Sequence, residues 1–135
     1  MRLEHVGIAV NDLAEANDLF SRLFGKPHYK TESVESESVT TSFFQLGESK
    51  IELVASLGDA ESAISKYIGK KGPGIHHLAF EVEDIHQSME EMKQKGFELL
   101  SEKPKKGADN KLICFLHPKT TNGVLVELCQ TIITK

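Results

Sequence analysis

The sequence predicts an α+β fold in which two βαβββ modules pair into one curved mixed sheet around a metal site. Three observations point there. Leu3–Leu13 nearly recurs as Ile75–Ile85, each copy a strand pattern holding a histidine, then an acidic cap and a helical pattern. Each copy also closes on an apolar strand pattern interrupted by one glutamate, Glu52 within Lys50–Val54 and Glu127 within Val124–Cys129. The spacing is kept as well: His5 and His77 lie 72 residues apart, and Glu52 and Glu127 lie 75 apart, the second copy having a longer final turn.

Residues 3–10 alternate as a strand does. Asp12 suits a helix N-cap, and Leu13, Ala16, Leu19, Phe20 and Leu23 fall on one face of the helix it would start. Gly25 stops that helix and Pro27 follows. The span Thr31–Ser38 is too hydrophilic for a core element. Val39–Leu46 and Lys50–Val54 read as a hairpin around Gly47-Glu48-Ser49. Helical spacing returns over Asp59–Gly69 through Ala60, Ala63, Ile64, Tyr67 and Ile68. The stretch Gly69-Lys70-Lys71-Gly72-Pro73-Gly74 then has the composition of a linker. Module one is thus about 1–57, the linking helix and Gly-rich linker about 58–74, and module two about 75–135.

In the second module a strand covers Ile75–Val82. A helix over Asp84–Lys95 turns Ile85, Met89 and Met92 inward, and Gly96 closes it. A short strand around Phe97–Leu100 leads into a basic loop, and a last hairpin pairs Lys111–Leu116 with Val124–Gln130. A half of about 60 residues buries little by itself, so residues 1–135 are expected to fold as a single domain.

The bulk numbers narrow the functional classes. With 135 residues, 39% hydrophobic and 27% charged, the chain has the make-up of an ordinary globular protein. No apolar run approaches the roughly 18–20 residues of a membrane span. A strand entered by Leu3 leaves no room for a signal peptide, so a cytoplasmic protein is expected, with Cys114 and Cys129 as free buried thiols. The net charge of −4 argues against nucleic acid, which wants a basic stripe. One basic cluster, Lys103-Pro104-Lys105-Lys106, reads either as a solvated loop or as a contact for a phosphate-bearing ligand.

Strand parity selects the candidate site. His5 shares a face with Gly7 and Ala9, and His77 shares one with Ala79, so each histidine has a very small neighbour that leaves room for a ligand. Glu52 and Glu127 sit between apolar residues, where a carboxylate is costly to bury unless paired or metal-bound. Two imidazoles and two carboxylates in equivalent places suit one borderline-to-hard divalent cation, and octahedral geometry would leave two positions open. A structural zinc would be closed and cysteine-rich, so the site is expected to be catalytic. His76 has the opposite parity and reads as structural; His28, His86 and His117 have no duplicated counterpart, and His86 falls on a helix where solvent is expected. Cys129 shares parity with Glu127 and is expected to pack.

These residues resemble the vicinal oxygen chelate superfamily (glyoxalase, bleomycin resistance protein and dioxygenase), and the resemblance runs along essentially the whole chain. Within it the chain is most similar to the methylmalonyl-CoA epimerases, through His5–Val10, Lys50–Leu53, Gly74–Val82, Phe115–Lys119 and Gly123–Leu128. The double histidine and the His117-Pro118-Lys119 turn are its more specific marks. The resemblance implies metal ligation by His5, Glu52, His77 and Glu127, with cobalt favoured and zinc or nickel as other occupants. It implies an acyl-CoA substrate, a homodimer, and interconversion of 2R and 2S methylmalonyl-CoA by α-proton abstraction through a metal-stabilised enolate. Glu127 is then the expected base and Glu52, more weakly, the second; Lys119 and the Lys103–Lys106 cluster are weak candidates for the coenzyme A phosphates. The Gln-Gly pair that many relatives carry before the third strand is absent from Val34–Ser42, which leaves Glu35 or Glu37 as the alternative second base. A glyoxalase I-like lactoylglutathione lyase with the same ligands is the first competing reading, and a metal-free ligand-sequestering module of the same fold the second. An iron-dependent ring-cleaving dioxygenase, with three protein ligands, fits less well.

Overall fold

The computed structural model describes residues 1–133. The chain divides into two compact units, residues 5–76 and residues 1–4 with those from His77 onward.

The first unit carries β1 (Arg2–Ala9), whose first residues count with the other unit, α1 (Leu13–Phe24), β2 (Lys30–Val34), β3 (Val39–Leu46), β4 (Ser49–Ser56) and α2 (Ala63–Lys71). Its strands lie in the order β2-β3-β4-β1, with β1 parallel to β4 and the other pairs antiparallel. The α1 boundaries follow the caps read in the sequence: Asp12 accepts from the Glu15 N–H at 3.0 Å, and Gly25 ends the helix at φ 74°. Leu13, Ala16, Phe20 and Phe24 of α1 pack on Ile8, Val10, Phe44 and Leu53, one face of the strands. Ala9, Val39 and Val54 take the other face under Ile64, Tyr67 and Ile68 of α2. Alternation therefore splits the apolar residues of β1 between two layers.

Two elements of this unit differ from the sequence reading. The polar span forms β2, an edge strand bonded on one side only, and an edge strand needs no apolar side chains to pair. The helix expected from Asp59 starts at Ala63. There Ser62 accepts from the Ser65 N–H at 3.0 Å, Ser65 accepts from the Ser62 N–H at 2.8 Å, and this capping box overrides the weak apolar signal of Ala60. Ser62 also shares a 2.7 Å hydrogen bond with Ser56 of β4. Ser62→Ala is expected to cost about 1 kcal/mol, read as a lower urea midpoint with an unchanged slope.

The second unit carries β5 (Gly74–Glu81), whose first three residues count with the other unit, α3 (Ile85–Gln94), β6 (Lys105–Lys106), β7 (Lys111–Leu116) and β8 (Val126–Thr131), ordered β5-β8-β7-β6. Both units thus repeat β-α-β-β-β. Asp84 caps α3 through the Gln87 N–H at 3.1 Å, and Ile85 and Met89 bury against Val82, Cys114 and Leu128. The strand expected around Phe97–Leu100 is reduced to a single bridge between Leu99 and Leu116. Gly96, at φ 95°, turns the chain sharply before it, and Leu99 is used to cover the α3 core. The named strand beside β7 is formed instead by Lys105–Lys106 of the basic loop, opposite Ile113 and Leu112. No described helix is long and apolar enough to cross a membrane.

An ion network closes one end of this unit. Lys111 Nζ donates to Glu81 Oε1 at 2.8 Å and to Thr131 Oγ1 at 2.6 Å, while Arg2 donates to Glu81 Oε2 at 2.9 Å. Burial would raise the Glu81 carboxyl, but hydrogen bonds from Lys111, Arg2 and Thr131 outweigh it and hold the group at about 2, against an ordinary 4.5. A lowered folded-state value stabilises the fold fully above the ordinary carboxylate range, and that contribution is lost as pH falls through about 2. Glu81→Gln is therefore expected to lose on the order of 1–2 kcal/mol at pH 7, with the gap to wild type closing towards pH 2 in denaturant titrations.

Candidate metal centre

The two units place a histidine and a glutamate in the same way. In the first, Glu52 of β4 pairs with Gly7 of β1, so the carboxylate lies diagonally beside His5, and Glu52 Oε1 comes to 3.3 Å from His5 Nε2. In the second, Glu127 of β8 pairs with Ala79 of β5, and Glu127 Oε1 lies 3.4 Å from His77 Nε2. The small residue two places after each histidine is thus the cross-strand neighbour of the glutamate. Its lack of bulk lets the two long side chains meet across it. All four are buried: His5 is 5% exposed, Glu52 6%, His77 5% and Glu127 5%.

The sequence reading put no site residue on the third strand of each module. Phe43 of β3 pairs with Glu52, and Phe115 of β7 pairs with Glu127. These phenylalanines are 72 residues apart, the same offset as the histidines, so the repeat already contained the signal. Each supplies an apolar wall on the side of the glutamate away from its histidine. Phe115 also meets the His77 ring edge-on, with centroids 6.1 Å apart and planes at 88°. With an apolar wall behind and an imidazole in front, a buried carboxylate is directed at the imidazole side, where a cation would satisfy both. The donors, one imidazole nitrogen and one carboxylate oxygen per unit, are the set a borderline divalent metal takes.

The remaining candidates fall elsewhere. Lys119 is exposed on the 3-10 turn Pro118–Thr120, its Nζ 3.1 Å from Glu98 Oε2, and its backbone N–H donates to His117 Nδ1 at 3.1 Å. Lys105 and Lys106 are exposed on β6. Glu35 and Glu37 occupy the 3-10 turn between β2 and β3, Glu35 exposed and Glu37 half-buried. His76 packs edge-on against Tyr67 at 4.8 Å, which fits a structural role, and His86 is exposed on α3. His28 rests against the Phe44 ring at 5.9 Å. Cys114 and Cys129 are buried and free; burial, then the charge of Glu127, pushes the Cys114 thiol up to about 11 and raises that of Cys129 further. Protonated thiols packed in the core are not soft ligands.

Comparison with known proteins places the chain in a family. The profile of the Glyoxalase/Bleomycin resistance protein/Dioxygenase superfamily matches residues 4–115. The ethylmalonyl-CoA/methylmalonyl-CoA epimerase of Cereibacter sphaeroides is 41% identical over 131 residues, covering 96% of this chain and 97% of that protein. The crystal structure of methylmalonyl-CoA epimerase from Mycobacterium tuberculosis superposes with a TM-score of 0.91 at 33% identity, over 98% of this chain and 89% of that one. A variant of the Streptomyces coelicolor methylmalonyl-CoA epimerase, solved in complex with 2-nitronate-propionyl-CoA, gives 0.92 at 30% identity over 98% and 99%.

Proposed function

The chain belongs to the glyoxalase, bleomycin resistance protein and dioxygenase superfamily and has its fold, and within that superfamily we propose that it is a methylmalonyl-CoA epimerase. The observation that carries this reading is the duplicated, buried His–Glu pair in a chain so similar, end to end, to epimerases. The two modules are taken to fold as one domain and to hold one divalent cation through His5, Glu52, His77 and Glu127. Cobalt is the favoured occupant, with zinc or nickel compatible with the same donors. When bound, the cation supplies positive charge to the substrate oxygens as negative charge develops on them.

The chain's own groups move the proton. Epimerisation removes the α-proton from one face of the acid thioester and returns a proton to the other, so two bases on opposite sides are required. Glu127 is assigned to one face and Glu52 to the other. A carboxylate engaged with a cation is a poor base, so each must act through its free oxygen or a held water. Glu35 and Glu37, on the turn before β3, are the alternative for the second transfer. Phe43 and Phe115 keep bulk water from the back of each carboxylate. Lys119, at the surface beyond β7, is assigned to the phosphates of coenzyme A, with Lys103–Lys106 as a further contact. The protein is read as a cytoplasmic homodimer; two buried, free cysteines suit a reducing compartment.

Proton NMR of methylmalonyl-CoA in deuterated water tests the reading. The α-proton signal should vanish only when both protein and divalent metal are present. Persistence of that signal, alongside conversion of the methylglyoxal–glutathione hemithioacetal, would instead assign a glyoxalase-type lyase.

A further inference from the structure

Lys111 has no work to do in the chemistry above, yet it is a buried ammonium, 6% exposed, in contact with two carboxylates. The repeat shows an apolar alternative at the same place in the other unit. Shifted by the 72-residue offset, Lys111 corresponds to Val39 and Glu81 to Ala9. Val39 and Ala9 form an apolar layer with Val54 and Ile64. The same layer in the second unit is therefore ionic where its duplicate is apolar. Burying charges costs several kcal/mol per ion, and apolar replacements of such groups are often neutral or stabilising. Stability alone does not account for the substitution.

What the ionic layer does hold is the start of β1. Arg2 Nη2 reaches Glu81 Oε2 at 2.9 Å and lies 3.7 Å from Glu4 Oε2; Lys111 Nζ lies 3.9 Å from the same Glu4 oxygen. Glu4, 2% exposed, is among the most buried side chains of the protein. The corresponding residues at the start of β5, Gly74 and His76, carry no carboxylate. Residue 4 is bonded directly to His5. A strand cannot slide or rotate at residue 5 while residues 2 and 4 are fixed by charge contacts, because its side-chain directions alternate rigidly.

We infer that Lys111, with Glu81 and Arg2, positions the metal ligand His5 by clamping the first residues of β1. Lys111 is a positioning residue and touches no substrate. The inference rests on His5 being a ligand, as proposed above. The start of β5, the strand that carries His77, is held differently: the Tyr67 hydroxyl of α2 donates to the Ile75 carbonyl at 2.8 Å.

The test is calorimetric titration of Co2+ alone into the full-length metal-free chain, with the melting temperature of the metal-free protein recorded beside it. Lys111→Met is expected to weaken Co2+ binding by about tenfold, the low end for groups that orient ligands, and Arg2→Met, at a more exposed site, by less, about threefold. Thr131→Val loosens the same layer but has no bond to residues 2–4, so it should lower the melting temperature and leave Co2+ affinity within about twofold. Unchanged affinity in both Met variants, or an equal loss in Thr131→Val, overturns the clamp. Should Lys111→Met not fold, the Arg2→Met affinity decides by itself. His5→Ala separates the two claims: if it leaves Co2+ binding intact, the ligand assignment fails; if it abolishes binding while both Met variants bind normally, only the clamp fails.

Discussion

Glu127→Gln is expected to abolish most α-proton exchange, by about 10²–10⁴-fold, the usual contribution of a positioned base. The substitution keeps the volume and one oxygen, so the strand pairing of β8 with Ala79 and Phe115 should be unaffected and the melting temperature close to wild type. What it removes is the negative charge beside His77 and the ability to accept a proton. Exchange of the α-proton with solvent deuterium, followed by NMR on metal-loaded protein, reads this directly. Near-normal exchange by a folded, metal-loaded Glu127→Gln would remove it as a base. Glu52→Gln should show a smaller loss if Glu35 or Glu37 serves the second face. Double substitution of Glu35 and Glu37 to glutamine identifies whether that turn takes part.

Removing the metal is the second large effect. Dialysis against a chelator should abolish exchange, and Co2+ should restore it, with zinc and nickel giving lower recovery. Stability should fall with activity: a ligand at about a thousand times its dissociation constant contributes roughly 4 kcal/mol to the folded state, so the chelated protein should melt several degrees lower. The destabilisation has a structural origin. Without a cation, two glutamates no more than 6% exposed face imidazoles at 3.3 and 3.4 Å, and buried carboxylates need a compensating charge. Undiminished exchange after complete metal removal would make the His–Glu pairs structural.

Much of this was legible in the sequence because the repeat encodes it twice. Asp12 and Asp84 occupy matching caps, His5 and His77 matching strand positions, and the small residues Gly7 and Ala79 mark where each glutamate crosses. A single copy would have been ambiguous, since an isolated strand histidine usually has a structural role. The elements that escaped are those whose sequence signal is set by position in the sheet. β2 is polar because it is an edge strand, and β6 is two lysines because two residues suffice to pair with β7. Glu81, Lys111 and Glu4 escaped for another reason. A charged residue in a strand ordinarily means a solvent-facing position, and only the tertiary structure shows these three meeting. Phe43 and Phe115 were visible by offset but uninformative by type, because phenylalanine in a strand ordinarily means core.

The proposed function requires one divalent cation per chain, held through His5, Glu52, His77 and Glu127. Elemental analysis of the purified, Co2+-reconstituted chain, with His5→Ala and His77→Ala beside it, tests this most directly. One cobalt per chain in the wild type, with both variants falling well below it, is the predicted result. Two per chain, or a full complement in either variant, would contradict it.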